Sequence, residues 1–504
     1  MKKENSYSHI LKYTGLLGGV QVLHILISVI RNKVTALLIG SAGMGWSDLF
    51  ARTIELMAGA TNFGIGFSAI RRLSVLYETG DMVRVARYVR LVRSWVLLTG
   101  LSGMTVTLLL SPLLCLFATG SFDRTILFAL LSPAVLLATL LGGEIAVLKG
   151  THRLKPLAAA SALSALATLL LTAPIYFRFG TDGILPVLLA TGAAVFLVHL
   201  HAATRLFPYR VRLHPWRYLR RGGHLLRLGT AYIAAGIAGS GAEMFIRTVL
   251  MKTGESQAGL YTAGLTLTVS YARFVFVAMD ADYFPRLSAL MTDKKGLSEA
   301  VNRQIDALVL LMTPVLLLLA LSLPLAVRIL YTEEFTAVIP MVLCALPYMF
   351  FKAVYSPLSY LALSGGDSRL YLIMELTYNA VLATAVVAGF RAGGLAGAGI
   401  GLSLANLSDL LLILAFYPRR YSVRLRAITM RRTLRQFLLL TAGLVCISRP
   451  EAACHWGGGI GFTLLSATLS WQLLKSETGL NGRLRNLWKK VSGKPDGTKG
   501  ETEI

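Results

Sequence analysis

The stretch at residues 31–74 reads RNKVTALLIGSAGMGWSDLFARTIELMAGATNFGIGFSAIRRLS, and its outline occurs twice in the chain. A loop with Gly40 and Gly45 leads into a long apolar run that contains charged residues, and the run ends in a basic exit at residues 71–74. The outline returns at residues 247–288, where Gly254 and Gly259 keep the same spacing. We therefore interpret each copy as the outer loop and second membrane helix of one half of a duplicated membrane protein.

The repeat extends beyond these two stretches. Matching residues keep a nearly constant offset of 214 to 216 positions, as in Gly45 and Gly259, Arg31 and Arg247, and Arg153 and Arg369. This offset spans six predicted helices, and because that number is even, both halves have the same orientation. The pattern predicts a pseudo-two-fold axis along the membrane normal with a binding site between the halves.

The composition indicates a polytopic helical membrane protein. The chain has 504 residues, of which 55% are hydrophobic and 15% are charged, and its mean hydropathy is +0.63. Soluble domains have roughly 25% charged residues. Repeated apolar runs of membrane-spanning length predict an all-α fold with about 14 transmembrane helices: two pseudo-repeated six-helix lobes and two C-terminal helices. The first two are predicted at 9–30 and 43–69.

The distribution of Lys and Arg predicts the topology. They are roughly fourfold more frequent in the segments on one side of the predicted membrane, which places both termini in the cytoplasm. Topology also explains most of the net charge of +25, so we reject nucleic acid as a partner. The basic amphipathic segment 80–93 is predicted to lie on the inner surface against anionic membrane lipids.

The predicted boundaries follow from the repeat. The N-terminal six-helix lobe covers 1–220, the C-terminal lobe covers 221–432, the two extra helices cover 433–475, and a basic cytoplasmic tail covers 476–504.

Charged residues within the second predicted helix are the first candidates for function. Asp48, Arg52 and Glu55 stand at positions i, i+4 and i+7, so they share one face. A charge in a membrane helix normally faces a cavity or a partner. The three residues therefore form an internal salt-bridge ladder, or the two carboxylates orient Arg52 so that it binds a substrate anion.

Two further arginines occupy equivalent positions in the repeat. Arg31 and Arg247 are predicted near the outer ends of their helices, where they either snorkel to the interface or bind a substrate anion. Glu243 precedes Arg247 by one helical turn and can pair with it.

Two cations are predicted near the middle of their helices. Arg273 lies fourteen residues after Gly259 without an acidic neighbour within one turn, and Lys352 lies among apolar residues. Such cations need a water-filled cavity, a carboxylate from another helix or an anionic ligand. Acidic residues that can serve either as their partners or in ion coupling are Asp48, Glu55, Glu144, Glu243, Glu375 and Asp409.

The sequence contains no catalytic or metal-binding motif that we recognise. The four cysteines form no CxxC pair, so no metal site is predicted, and no cofactor is expected. GxxxxGK[ST], GxSxG and HExxH are all absent, and we therefore predict a transporter rather than an enzyme or an ATP-driven pump.

The stretches RNKVTALLIGSAGMG, FPRLSAL and LALSGGDSRLYLIMEL, together with the six-plus-six repeat, resemble one family. The chain is similar to Wzx-type translocases of O-antigen and enterobacterial common antigen. These belong to the polysaccharide-transporter branch of the multidrug/oligosaccharidyl-lipid/polysaccharide (MOP) exporter superfamily. The resemblance covers residues 1–474.

The resemblance implies a flippase of the bacterial cytoplasmic (inner) membrane that acts in polysaccharide and lipopolysaccharide biosynthesis. Its substrate would be an undecaprenyl-diphosphate-linked oligosaccharide, carried by alternating access through a cationic central cavity. Arginine suits diphosphate binding because its planar fork matches phosphate oxygens. The available cations are Arg31, Arg52, Arg247, Arg273 and Lys352, with Arg273 and Arg52 favoured.

We expect the transporter to be a monomer. The resemblance implies a glycan polymerase and a ligase as partner proteins. Three alternatives remain open at this point. A lipid II flippase has the same kind of anionic substrate, and a multidrug exporter of the same superfamily would need an acidic residue in its cavity, which the first predicted helix lacks. A membrane scaffold for glycan assembly would not need mid-helix cations.

Overall fold

The computed structural model describes residues 4–211, 230–270, 293–449 and 453–478, together with positions 276, 283, 286, 287, 290, 291 and 451. Within these residues every regular element is a helix. The predicted all-α fold class is therefore confirmed, whereas the number of fourteen membrane helices stays a prediction.

Residues 4–211 form seven α-helices: α1 (Glu4–Asn62), α2 (Ile65–Glu78), α3 (Met82–Thr119), α4 (Thr125–Ala129), α5 (Ser132–Gly150), α6 (Leu154–Phe179) and α7 (Ile184–Thr204). A bend at Gly40 divides α1 into two helical arms, because Gly40 has a φ of 65°. Glycine adopts this left-handed conformation without the steric cost that a Cβ brings.

The bend corrects two predicted boundaries. The first arm of α1 continues past residue 30 to the bend, so Arg31 does not lie at the helix end as predicted. Gly45 lies inside the second arm rather than in the loop. The predicted helix 43–69 is also interrupted, because Phe63 and Gly64 have φ values of 47° and 64° and separate α1 from α2.

The described residues from 230 onwards form seven further α-helices: α8 (Thr230–Thr253), α9 (Glu255–Leu265), α10 (Lys294–Leu330), α11 (Ile339–Ser364), α12 (Ser368–Arg420), α13 (Ala427–Ile447) and α14 (Gly459–Thr478). Helix α12 is broken at Gly393 and Gly394, close to the predicted break between 390 and 395. A π-helical turn at Thr266–Ser270 follows α9.

The described helices include seven candidate membrane spans by length and composition. Three of them, Leu26–Asn62, Lys155–Thr204 and Ser368–Arg420, are 37, 50 and 53 residues long and contain breaks. About 20 apolar residues suffice for one crossing, so the two longest are long enough for two crossings each. The chain is a multi-pass membrane protein.

The chain divides into two compact units. Unit 1 consists of Met1–Ser270, Leu323–Tyr348 and Gly365–Asp409. One of its apolar clusters packs α2 against α3 and α5 through buried residues such as Ile65, Val92 and Val147.

Unit 2 consists of Tyr271–Ser322, Met349–Ser364 and Leu410–Ile504. Its α13 and α14 are joined by Gln436, which bonds Ser466 at 2.9 Å and Ser470 at 3.1 Å. The predicted lobe boundaries at 220 and 432 stay predictions, and residues 479–504 of the predicted tail lie outside the described part of the chain.

Candidate functional site

Arg52 lies on the second arm of α1 between two carboxylates. Its Nη1 donates to Glu55 Oε2 at 2.9 Å, and its Nε lies 3.7 Å from Asp48 Oδ1. The side chain of Arg52 is 34% exposed, that of Glu55 is 57% exposed, and that of Asp48 is 16% exposed. The shared face predicted from the spacing is therefore occupied by a chain of ion pairs, of which the outer part reaches the surface of unit 1.

Arg247 occupies the buried end of the same cluster. Its guanidinium donates to Asp48 and to Glu243, and its Nη1 also donates to the Glu243 carbonyl at 3.0 Å. Arg247 is 1% exposed and lies 5.7 Å from the centroid of the Tyr261 ring. The snorkelling alternative for Arg247 is therefore wrong, because its charge is matched by carboxylates inside the protein.

Equivalent residues of the two repeat copies meet beside this cluster. Thr262 donates to Asp48 at 2.8 Å, and these two residues are separated by the repeat offset of 214. Gly45 and Gly259, which have the same offset, also lie in contact: a Cβ added to Gly45 would lie 3.0 Å from Gly259 N. Residues related by a two-fold axis can touch each other only close to that axis, which supports the predicted pseudo-symmetry at this contact.

Glycine is required on both sides of this contact. A Cβ on Gly259 would lie 1.8 Å from the Ser41 carbonyl oxygen, and one on Gly45 would lie 2.6 Å from the Glu255 carbonyl oxygen. Small residues let helix backbones approach closely in membranes. The second arm of α1 and α9 therefore pack backbone to backbone, which fixes the position of the charged cluster.

Polar contacts surround the glycine contact on the predicted outer side. Lys33 donates to the Tyr331 carbonyl and, at 3.0 Å, to the Arg328 carbonyl at the C-terminal end of α10. Ser41 bonds Glu334. Carbonyl oxygens at a helix end have no intrahelical donors, so a lysine is a favourable partner for them.

Arg124 makes a further contact on the same side. It lies 4.3 Å from the centroid of the Trp46 ring and 3.1 Å from Glu255 Oε1. Sequence analysis did not identify this contact or those of Lys33 and Glu334, because residues far apart in the chain have no spacing pattern that reveals them.

The remaining described site residues are spread over both units. Arg31 lines a cavity within unit 1. Lys352 belongs to unit 2, where its Nζ is 5.7 Å from the centroid of the Phe276 ring. Glu375 accepts a bond from Asn379 through its backbone carbonyl at 2.8 Å, and Asp409 is 7% exposed. Arg273 lies outside the described residues.

Glu144 pairs with Arg93, a residue assigned from the sequence to the surface segment 80–93. Two bonds of 2.8 and 2.7 Å join their side chains, and Arg93 also donates to the carbonyls of Phe207 and Pro208. Arg93 is buried because 80–93 is largely the start of the long α3 rather than a separate surface helix. Burial, assisted by Glu144, raises the pKa of Tyr209, whose ring lies 5.0 Å from the Arg93 guanidinium.

The cluster exposes one cation. Among Arg52 and Arg247, only Arg52 has exposed surface, and it presents a planar guanidinium whose orientation is held by Asp48 and Glu55. A guanidinium has five N–H donors, so ion pairing leaves donors for a second acceptor. Phosphate oxygens match this fork geometry. Among the described residues, no group of three or more His, Cys, Asp and Glu could hold a metal ion.

Comparison with known proteins gives a family and a fold. The sequence model of the family described as polysaccharide biosynthesis protein matches residues 82–340, slightly more than half of the chain. No curated protein sequence matches.

Among solved structures, the lipid II flippase MurJ in an inward closed conformation has a TM-score of 0.66 at 12% identity, over 93% of this chain and 99% of that one. A multidrug resistance MATE family transporter of the MOP superfamily, in an inward-facing conformation, has a TM-score of 0.65 at 16% identity, over 80% and 94%. A MOP superfamily transporter from Pyrococcus furiosus, described as having a binding pocket of reversed polarity, has a TM-score of 0.59 at 15% identity, over 82% and 96%.

Identities this low establish a shared fold and nothing further, whereas the sequence match establishes the family. The chain belongs to the family of polysaccharide biosynthesis proteins and has the fold of MOP superfamily transporters.

Proposed function

We propose that the chain is a flippase that moves an undecaprenyl-diphosphate-linked oligosaccharide, such as an O-antigen repeat unit, from the inner to the outer leaflet of the bacterial cytoplasmic membrane. The family supports a role in polysaccharide assembly. The fold is one that transporters use, including a flippase for a lipid-linked precursor. Both termini lie in the cytoplasm, and the lipopolysaccharide pathway supplies the glycan polymerase and ligase that act with it.

The observation that carries the proposal is that Arg52 is partly exposed and is oriented by two carboxylates. A diphosphate carries at least two negative charges and needs cations to enter a membrane protein. Arg52 offers a half-exposed guanidinium that Asp48 and Glu55 hold in place. In the proposed mechanism, Arg52 and Arg273 bind the diphosphate, and alternating access moves the glycan across. Lys352 stays predicted as a further contact, whereas Arg247 is buried against carboxylates and Arg31 lines a separate cavity.

The acidic residues have a second role in the proposal. Pairing with Asp48 and Glu55 lowers the cost of an unliganded arginine in the membrane, and the diphosphate can then compete for part of the guanidinium. Such a transporter releases its ligand more readily than one with an unpaired arginine, because the carboxylates compete with the diphosphate for the guanidinium.

The test is complementation of a strain that lacks its own translocase, with surface glycan measured at equal protein level. Charge-assisted hydrogen bonds contribute about 1.5–3 kcal/mol, so Arg52→Ala should slow glycan export about tenfold or more. Arg52→Lys should retain part of the activity, because it keeps the charge without the fork. Arg273→Ala is examined in the same strain.

The control is Arg178→Ala, an exposed arginine of α6 whose guanidinium lies 5.7 Å from the Phe179 ring centroid. It should export glycan at the wild-type rate. Wild-type export by Arg52→Ala and Arg273→Ala would contradict the assignment of the site.

The fold also fits a lipid II flippase, because the chain covers 99% of such a protein's structure. Rescue of a strain depleted of its lipid II flippase would favour that function. Residues 5–47 contain no Asp or Glu, which disfavours an exporter of organic cations that needs a carboxylate in its first helix. Export of a cationic dye by the wild-type protein would favour it.

A further inference from the structure

A partly open cavity of about 310 Å³ lies in unit 1 among helices α1, α5, α6 and α7. Its polar lining residues are Ser28, Arg31, Ser161, Ser164, Thr168 and His199, and the rest of the lining is aliphatic. No residue of the Asp48–Glu55 segment lines it, so the cavity is separate from the cluster around Arg52. A ligand of this cavity would therefore be different from the diphosphate proposed to bind at Arg52.

Arg31 carries the cationic charge of this cavity. It lies within the candidate membrane span Leu26–Asn62, nine residues before the bend at Gly40. Among the described residues, no carboxylate forms an ion pair with Arg31. A cation within a membrane span needs a compensating partner.

His199 faces the same cavity from α7 and is 3% exposed. Its Nδ1 lies 2.9 Å from the Val195 carbonyl oxygen, and because a carbonyl only accepts, Nδ1 carries a proton. Its Nε2 is buried and has no hydrogen-bond partner among the described residues. A buried polar atom of this kind normally has a partner, so Nε2 indicates a missing ligand.

The hydroxyls of the cavity differ in what they can donate. Thr168 donates to the Ser164 carbonyl at 2.8 Å, so its proton is already used. Ser164 Oγ lies 3.4 Å from His199 Nδ1, from which it can accept, and this leaves its own proton free. Ser28 and Ser161 are not hydrogen-bonded to another described residue. The cavity thus holds three hydroxyl donors beside one guanidinium.

We propose that this cavity binds one small monovalent anion, held by Arg31, by the hydroxyls of Ser28, Ser161 and Ser164, and by the protonated Nε2 of His199. A neutral imidazole would present the lone pair of Nε2 to the anion and repel it. Protonation turns Nε2 into a donor, so the anion and a proton bind together. The net charge of the site then changes by zero, which limits the electrostatic cost of binding inside a membrane.

The charge balance selects a monovalent anion. The charged or titratable lining groups are Arg31 on α1 and His199 on α7, because α5 contributes Leu141 and Ile145, and α6 contributes hydroxyl and alanine side chains. A divalent phosphate would exceed the single permanent charge of the cavity. Chloride and a small carboxylate share the required chemistry, and the experiment separates them.

The test measures binding of radioactive chloride to the purified full-length protein in detergent, at constant ionic strength with the divalent anion sulfate as the replacement. The wild-type protein should bind chloride saturably, with about one ion per chain. Arg31→Gln should weaken binding about tenfold or more, since it removes a charge-assisted contact. Arg178→Gln is the matched control and should bind as wild type does. Displacement by acetate or glucuronate at lower concentration than by bromide would assign the site to a carboxylate.

The role of His199 is tested by comparing affinities at about pH 5.5 and about pH 8, which bracket the titration of imidazole in water. The wild-type protein should bind chloride more tightly at the lower pH, and His199→Gln should show no such change. A crystal grown in bromide provides a measurement on the unaltered protein, with an anomalous peak expected between Arg31 and His199. Absence of saturable binding, or of that peak, would overturn the site, and equal pH dependence in both proteins would overturn the role of His199.

Discussion

At the scale of single residues, Arg93 and Glu144 form a buried ion pair that stabilises the fold. Both side chains are almost completely buried, at 2% and 3% exposure, and two bonds join them. The remaining donors of Arg93 reach the carbonyls of the segment after α7. The pair therefore anchors that segment to α3 and α5, and each charge depends on the other.

Glu144→Ala should destabilise the protein by about 3–5 kcal/mol, because it leaves the Arg93 charge buried without a counterion. The double variant Arg93→Met with Glu144→Leu should recover much of this loss, since it removes both charges and fills the space. The measurement is unfolding of the purified protein in detergent, followed by heat or denaturant.

The control for this prediction is Glu299→Ala, which breaks the exposed pair of Glu299 and Arg303. Their side chains are 40% and 69% exposed. Exposed ion pairs of this kind contribute about 0–1 kcal/mol. Equal effects of Glu299→Ala and Glu144→Ala would show that Arg93 does not depend on its partner.

Residues of the charged face were predictable from the sequence only in part. The spacing of Asp48, Arg52 and Glu55 correctly placed them on one face, because helical geometry alone determines that. It did not reveal that Arg247 approaches Asp48 from another helix. Nor did it reveal His199, since a single histidine in an apolar helix has no pattern.

At the scale of elements, the contact between α1 and α9 depends on glycine. The predicted repeat identified Gly45 and Gly259 as equivalent, and the structure brings them together. Their function differs from the prediction, because Gly45 packs within a helix and Gly40 alone makes the turn. Apolar composition is equally compatible with both positions, so the sequence could not distinguish a turn glycine from a packing glycine.

Gly259→Ala should force α1 and α9 apart, because its Cβ would lie 1.8 Å from the Ser41 carbonyl oxygen. Overpacking of this kind costs about 1–3 kcal/mol, and a clash with backbone is harder to relieve than one with a side chain. We expect a lower unfolding midpoint and reduced glycan export in the complementation assay.

The matched control is Gly59→Ala in the second arm of α1, the arm that α9 contacts. A Cβ at Gly59 would meet no atom within 4 Å. Alanine has a higher helix propensity than glycine by about 1 kcal/mol, so this variant should be unchanged or more stable. A Gly59→Ala variant as unstable as Gly259→Ala would contradict the packing argument.

Helix boundaries show where the sequence was a poor guide to elements. The polar run Arg31-Asn32-Lys33 was interpreted as a helix end, but α1 continues to Gly40. These polar residues remain in the helix because other elements accommodate them: Lys33 reaches the end of α10, and Arg31 lines the cavity. In contrast, the break between the two arms of α12 was predicted closely, because Gly393 and Gly394 adjoin with no side chain to resist it.

At the scale of the whole molecule, composition and charge distribution were sufficient for the fold class. Repeated apolar segments require helices, since a chain in lipid must satisfy its backbone hydrogen bonds internally. The structural likeness to MOP superfamily transporters agrees with that expectation. The fold alone does not identify the substrate, because a multidrug resistance transporter and a lipid II flippase both have this fold.

The central claim is best tested by translocation in proteoliposomes that contain an undecaprenyl-diphosphate oligosaccharide with a fluorescent label on its glycan. An impermeant quencher added outside reports the fraction of label in the outer leaflet. We predict that the wild-type protein raises the quenched fraction above that of protein-free vesicles, and that Arg52→Ala does so much more slowly than Arg178→Ala. A quenched fraction equal to that of protein-free vesicles, measured with and without a proton gradient, would contradict the account.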